Sequence, residues 1–274
     1  MQRPSSPGCA PSSRRRSRSR SERGRDARAR PILCVMASTP ELWAVQLGRL
    51  PYSEGLALQE RVRSARGTGA IPDTLLLLEH DPVYTRGRRT DPSELPFPEA
   101  WYAERGIAIV DVRRGGRATY HGPGQLTGYP IVHTTDVLEH VRGMERAISS
   151  ALAQEGVTAA GRPQDGPDFT GVWVDGERKI ASIGVHVRQG ITTHGFAINV
   201  ENDLTPFEWI VPCGLQVRMT SLEVERGRPG GMACMRRRMA HAYAVERGLR
   251  LRLVTPEALE RSLAAADVAH TVGA

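Results

Sequence analysis

Lysine is almost missing from this chain. Of 37 basic side chains, 36 are arginine, and the single lysine is Lys179. Cysteine is scarce as well: Cys9, Cys34, Cys213 and Cys234 form no C-x-x-C pair and no even framework. That pattern excludes a disulfide-stapled secreted scaffold and implies free thiols in a reducing compartment. No apolar run approaches the roughly 20 residues that cross a bilayer, so no membrane partner is expected and the location is read as cytoplasmic. No histidines or cysteines stand at metal-ligand spacing, and no glycine run fits a nucleotide fingerprint. Neither a metal nor a cofactor is expected.

The net charge of +7 suggests a polyanion binder, but its distribution excludes one. Residues 1–35 hold ten arginines against two acids, Glu22 and Asp26. The remainder carries 27 basic side chains against 28 acids. Its folded part therefore lacks the clustered positive charge that nucleic acid requires. The Arg/Ser-rich segment 1–35 cannot bury a core and is read as disordered. A basic arm, a targeting peptide and sequence upstream of a start at Met36 are the competing accounts. The last is favoured, because ordinary globular patterning begins at Met36.

From there the chain reads as one α/β domain of the α+β type, with a mixed, largely antiparallel sheet flanked by helices. It is assigned to residues 36–260, with 261–274 as a flexible tail. Strands are predicted over 41–48, 74–80 and 106–112, the second as a buried apolar run. Helices are predicted over 52–67, 134–156 and 232–249. In the second helix Val137, Val141, Met144, Ile148 and Leu152 share a face. Residues 86–100 read as a loop. Asp175-Gly176 and Gln189-Gly190 read as the turns of a three-stranded meander over 171–200.

Cys213 lies between Pro212 and Gly214. Alone it reads as a buried small hydrophobe, or as a thiol presented on a sharp turn. Lys179 opens a strand in which Ala181, Ile183, Val185 and Val187 share its parity, so an apolar face is expected for it. Its stem can pack there while the ammonium reaches water, or the amine can be partly desolvated near a thiol. Small residues recur at Ser182, Gly184, Gly195 and Ala197, which leaves either a slot over the sheet or room for close packing. The stretch 113–132 holds five glycines and two prolines around Arg114, Tyr120, His121 and Gln125, a permissive loop carrying functional side chains.

RGGRATYHGPGQLTGYPI (114–131) resembles the defining motif of the lipoyl(octanoyl) transferase family, the octanoyl-[acyl-carrier-protein]:protein octanoyltransferases. LLEHDPVYTRGRRT (77–90), KIASIGVHV (179–187), THGFAINV (193–200) and FEWIVPCGL (207–215) match in order. The resemblance implies a fold similar to the catalytic module of biotin and lipoate ligases. It implies transfer of an octanoyl group from octanoyl-acyl carrier protein, through a cysteine thioester, to one lysine of a lipoyl domain. The acceptors would be 2-oxoacid dehydrogenase E2 subunits and the glycine-cleavage H protein.

The family's catalytic pair falls on Cys213, as thioester nucleophile, and Lys179, which lowers the thiol pKa and accepts its proton. Its substrate-lining stretches fall on Arg114, Gly115, Gly116, Arg117, Ala118, Thr119, Tyr120 and His121, on Ser182, Ile183 and Gly184, and on Gly195, Phe196 and Ala197. His80 and His194 are supporting candidates, and so is His121. Arg86, Arg88 and Arg89 are candidates for docking an acidic carrier protein. The rivals are an ATP-dependent lipoate or biotin ligase of the same fold, a cysteine hydrolase, and a basic-armed nucleic-acid binder.

Overall fold

The computed structural model describes residues 39–210 and 217–272. The expectations for residues 1–35 lie outside the described residues. Strand β1 (Glu41–Leu50) leads into helix α1 (Tyr52–Gly67), whose bounds match the predicted helix. Then come β2 (Asp73–His80) and β3 (Val83–Arg86). The segment read as a loop contains a 3-10 turn, Pro92–Glu94, and helix α2 (Glu99–Ala103). Asp91 closes a capping box on that turn with Glu94, a pattern legible in D-x-x-E.

Next are β4 (Ala108–Asp111), β5 (Thr119–His121), β6 (Gln125–Ile131) and helix α3 (Val137–Ala153). α3 starts later than expected because Asp136 caps it, accepting from the Glu139 N–H at 3.0 Å. Val137 consequently sits in the first turn and is exposed, while Met144, Ile148 and Leu152 are buried. A short β7 (Ala160–Gly161) precedes the meander β8 (Gly171–Val174), β9 (Arg178–Arg188) and β10 (Ile191–Asn199). Both meander turns place positive φ at both central residues: 50° and 71° at Asp175-Gly176, 53° and 75° at Gln189-Gly190. That is the hand a tight hairpin needs.

The chain continues through β11 (Arg218–Met219), α4 (Leu222–Arg226), α5 (Met232–Glu246), β12 (Arg250–Val254) and α6 (Pro256–Val272). α6 corrects the expected tail: residues from 261 onward continue a helix that buries Leu259 and Leu263.

The main sheet runs β12-β1-β2-β6-β10-β9-β8-β7, with β11 beside β9; β4-β3-β5 form a second, small sheet. β12, β1 and β2 are parallel, and the strands from β6 to β7 pair antiparallel. Leu75 and Leu77 point into the core under α3 and α5, whereas Leu76 and Leu78 pack with α1 and α6. Burial on both faces explains the unbroken leucine run of β2. The face carrying α1 and α6 is also the face over which the glycine-rich loop folds.

Candidate active site

The pocket lies between that face of β9 and β10 and the glycine-rich loop. Arg114 organises the loop. Its guanidinium donates to the carbonyls of Gly115 (3.1 Å), Arg117 (2.8 Å) and Thr85 (2.8 Å) and to the Thr85 hydroxyl (2.7 Å). Gly115 N–H then ties the loop to the Val185 carbonyl at 2.9 Å. Gly116 has φ 85°, which a side chain would strain.

Glu94 holds the loop's far end. One carboxylate oxygen accepts from Arg117 at 2.9 Å, and the other from Ala118 N–H at 2.9 Å. Arg117, Ala118, Thr119 and His121 line the pocket, with Gly116 and Arg114. Tyr120 does not. Strand alternation turns it to the opposite side of β5, against Phe207, Tyr84 and Tyr102. Gly115 is likewise spent on the contact with β9 and is not among the lining residues.

Lys179 reaches the pocket by a route that simple alternation misses. The pairing of β8 with β9 shifts by one residue between Val172↔Ala181 and Trp173↔Lys179. Through this bulge Ile180 and Ala181 both enter the core under α3. Lys179 is thereby moved off the apolar face expected for it and onto the side of Ser182 and Gly184, both pocket-lining. Its ammonium stands 5.1 Å from the ring centre of Trp173. β11 runs parallel to this segment, with Met219 paired to Lys179, and Val217 and Met219 line the same pocket. Cys213 itself lies outside the described residues.

The small residues divide into two groups. A Cβ on Gly184 would stand 2.9 Å from the Gly115 carbonyl oxygen, and one on Gly195 would stand 2.3 Å from that of Gly128. Those two glycines admit protein backbone and also line the pocket. Ser182 and Ala197, directly paired, form open floor together with Thr127. Phe196 lines the pocket as well, although its ring lies over Gly128 on the core side.

The histidines form a buried polar cluster with tyrosines that the sequence did not single out, Tyr52 and Tyr129. His80 Nδ1 faces the Leu50 carbonyl at 3.0 Å and so must donate. Its Nε2 then accepts from the Tyr129 hydroxyl at 2.6 Å. His121 Nδ1 meets Gln125 Oε1 at 2.8 Å. Gln125 Nε2 donates to Asn199 Oδ1 and the Tyr120 carbonyl, and Asn199 Nδ2 to the Thr220 carbonyl. Each amide is thus fixed, and His121 carries its proton on Nδ1. Burial pushes His121 and His194 down to about 3, with neighbouring positive groups adding to the effect. His80 is lowered, chiefly by burial. Burial raises Tyr52 to about 12 and holds Tyr129 well above the usual phenol value. All five are neutral at pH 7, so the cluster offers hydrogen bonds but no charge.

Of the arginines considered for docking, Arg86 is held by Asp111 (2.7 and 3.0 Å) and Glu99 (3.1 Å), and Arg89 by Asp168 (3.1 Å). Arg88 is exposed. Among the described residues no group of three or more His, Cys, Asp or Glu could hold a metal ion, and no helix is long and apolar enough to cross a membrane.

Residues 51–244 match the family described as lipoyl protein ligase A/B catalytic domain. Among solved structures, the bipartite lipoate protein ligase of Thermoplasma acidophilum superimposes with a TM-score of 0.65 at 18% identity, over 82% of this chain and 91% of that one. Lipoate-protein ligase A bound with ATP gives 0.61 at 18%, over 83% and 94%. The fold is that of the lipoate-protein ligase catalytic domain.

Sequence relatives narrow this further. Octanoyltransferase from Acidobacterium capsulatum is 45% identical over 66% of this chain and 79% of its own length. The Thermobifida fusca octanoyltransferase is 41% identical over 78% and 92%. That of Myxococcus xanthus is 42% identical over 72% of this chain, which spans 57% of that longer relative. The chain belongs to the octanoyltransferase family of acyltransferases.

Proposed function

We propose that this chain takes an octanoyl group from octanoyl-acyl carrier protein and delivers it to one lysine of a lipoyl domain, through a thioester on Cys213. The acceptors are the E2 subunits of 2-oxoacid dehydrogenases and the glycine-cleavage H protein, and the reaction is cytoplasmic. The observation that carries the reading is the β9 bulge, which brings the only lysine of the chain into the pocket. Val217, four residues after Cys213, lines that pocket too.

In the first half-reaction Cys213 gives its proton to the neutral Lys179 amine. Its thiolate attacks the donor's thioester carbonyl. The tetrahedral adduct collapses by breaking the bond to the carrier sulfur, and that thiolate leaves with the proton from Lys179. In the second, the acceptor's amine attacks the acyl-enzyme carbonyl and loses a proton to Lys179 as the bond to Cys213 breaks. One thioester replaces another in the first step, and an amide replaces a thioester in the second, so no activation by ATP is needed. Arginine cannot take the place of Lys179, because its guanidinium stays protonated.

Intact-mass spectrometry tests this directly. Protein mixed with octanoyl-acyl carrier protein, without ATP, is expected to gain one hydroxylamine-sensitive octanoyl adduct, absent in Cys213→Ala. Activity that survives Cys213→Ala and requires ATP would instead identify a ligase. Release of free octanoate without acceptor acylation would identify a hydrolase.

A further inference from the structure

Lys179 lines the pocket, but the group that seats it does not. Trp173 pairs with Lys179 across the β8–β9 ladder, just past the register shift. Its neighbours Val172 and Val174 point into the core. The indole therefore stands on the other side of the sheet, with Lys179. It is buried, and it is not among the pocket-lining residues.

The fold fixes each part of this seat. The indole Nε1–H donates to the Phe169 carbonyl at 2.9 Å, and the two rings lie 5.8 Å apart, centre to centre. The guanidinium carbon of Arg162 stands 4.4 Å from the ring centre of Phe169 and 5.0 Å from that of Trp173. Asp165 holds Arg162 in turn, at 2.6 Å. Gly171 supports the lysine stem. A Cβ there would stand 2.8 Å from Lys179 Cε, and the φ of 137° also disfavours a side chain. The Gly171 N–H donates to Glu145 at 3.1 Å, which locks its backbone.

A residue that must take up a proton and release it again needs a moderate partner. A carboxylate against the amine would favour its charged form strongly, and an alkyl wall would oppose it. A π face attracts the cation more weakly than a carboxylate does. We propose that Trp173 is the positioning residue for Lys179: its indole face holds Nζ at the pocket edge and steadies the ammonium formed when Cys213 gives up its proton. This rests on the acyl-transfer reading above. Arg89, Arg114, Arg117 and Asp168 are the charged groups that line the pocket with Lys179, and Asp168 is engaged by Arg89 at 3.1 Å.

Because Lys179 is the only lysine, isotope-labelled lysine gives a single Cε–Hε signal in NMR. The ring current of Trp173 is expected to move that signal upfield. In Trp173→Leu the signal is expected to return to the free-lysine position, and kcat to fall roughly tenfold or more, with KM for the donor little changed. Trp173→Phe keeps a ring face and is expected to recover most of both. Fluorinated tryptophan at position 173 alone keeps the shape and weakens the face, so the Lys179 titration midpoint is expected to fall by roughly half to one pH unit. A free-lysine signal in the wild type, or an unchanged kcat in a folded leucine variant, would overturn the proposal. If the leucine variant does not fold, a midpoint unmoved by fluorination overturns it instead. If wild-type protein forms no acyl-enzyme yet the signal follows the residue at 173, the acyl-transfer reading falls and the seat stands.

Discussion

A guanidinium and an ammonium carry the same charge, but only the second can lose its proton near neutral pH, and the proposed mechanism makes residue 179 the place where that distinction matters. Lys179→Arg places a permanent cation beside Trp173 and, in the proposed mechanism, removes the proton acceptor. Acyl transfer is expected to fall by about 10²-fold or more in kcat, the usual worth of a positioned acid or base. The acyl-enzyme formation rate by stopped mass spectrometry checks this, and a fully active variant would dismiss the amine from proton transfer. Glu94 poses a different question, because it ties the loop to the Pro92–Glu94 turn. Its carboxylate serves Arg117, the Ala118 N–H and the Asp91 N–H from a nearly inaccessible position. Glu94→Ala leaves all three donors without it and is expected to cost about 2–3 kcal/mol of stability. It should also raise KM for the acyl donor, because the loop lining the pocket loosens; urea unfolding and steady-state kinetics measure the two effects.

At the scale of elements, β9 decides the site, and it was half legible. Asp-Gly and Gln-Gly turns on either side of alternating residues define the meander, and the register agrees with them. The bulge at Ile180 was not legible, because it is a relation between β8 and β9 and leaves no mark in either alone. Without it, period-2 alternation puts Lys179 on the core face. Other readings turn on the same kind of relation. Gly184 and Gly195 read either as a slot or as room for close packing, and they serve as both, lining the pocket while admitting the Gly115 and Gly128 carbonyls. Glu94 sat in a stretch read as loop, although its capping box was visible. Residues from 261 onward read as a tail because the apolar residues of α6 gain meaning only against β1 and α1. Gly184→Ala tests the backbone account. Its methyl would stand 2.9 Å from the Gly115 carbonyl oxygen and 3.1 Å from Arg114 Cδ. The loop is expected to shift outward at a cost of about 1–3 kcal/mol. Serine at 182 replaced by alanine should cost far less, and equal losses at both positions would argue against the packing role of Gly184.

The whole molecule keeps its buried histidines uncharged, and this sets how stability responds to acid. His121 and His194 are lowered to about 3 and His140 to about 4, with burial the largest cause in each. His140 lies between α3 and α5, near Arg247 and Asp73, away from the pocket. In the unfolded chain each titrates near 6.5. Between that value and the folded one, the unfolded state binds more protons, so stability rises with pH across the interval. The contribution is complete above about pH 7 and is lost as pH falls towards 3. By pH 5 each of the three is expected to remove about 2 kcal/mol. The carboxylates of Glu60 and Glu225, lowered by their arginine partners, act in the same direction at lower pH. Urea unfolding at pH 7.5, 6.0 and 5.0 should therefore show a steep loss of stability before most carboxylates protonate. His140→Leu separates this effect from the active site. It is expected to flatten the slope by about one proton between pH 6.5 and 5 while octanoyl transfer at pH 7.5 stays close to wild type. A slope unchanged in that variant would mean that His140 is charged, or solvated, in the folded protein.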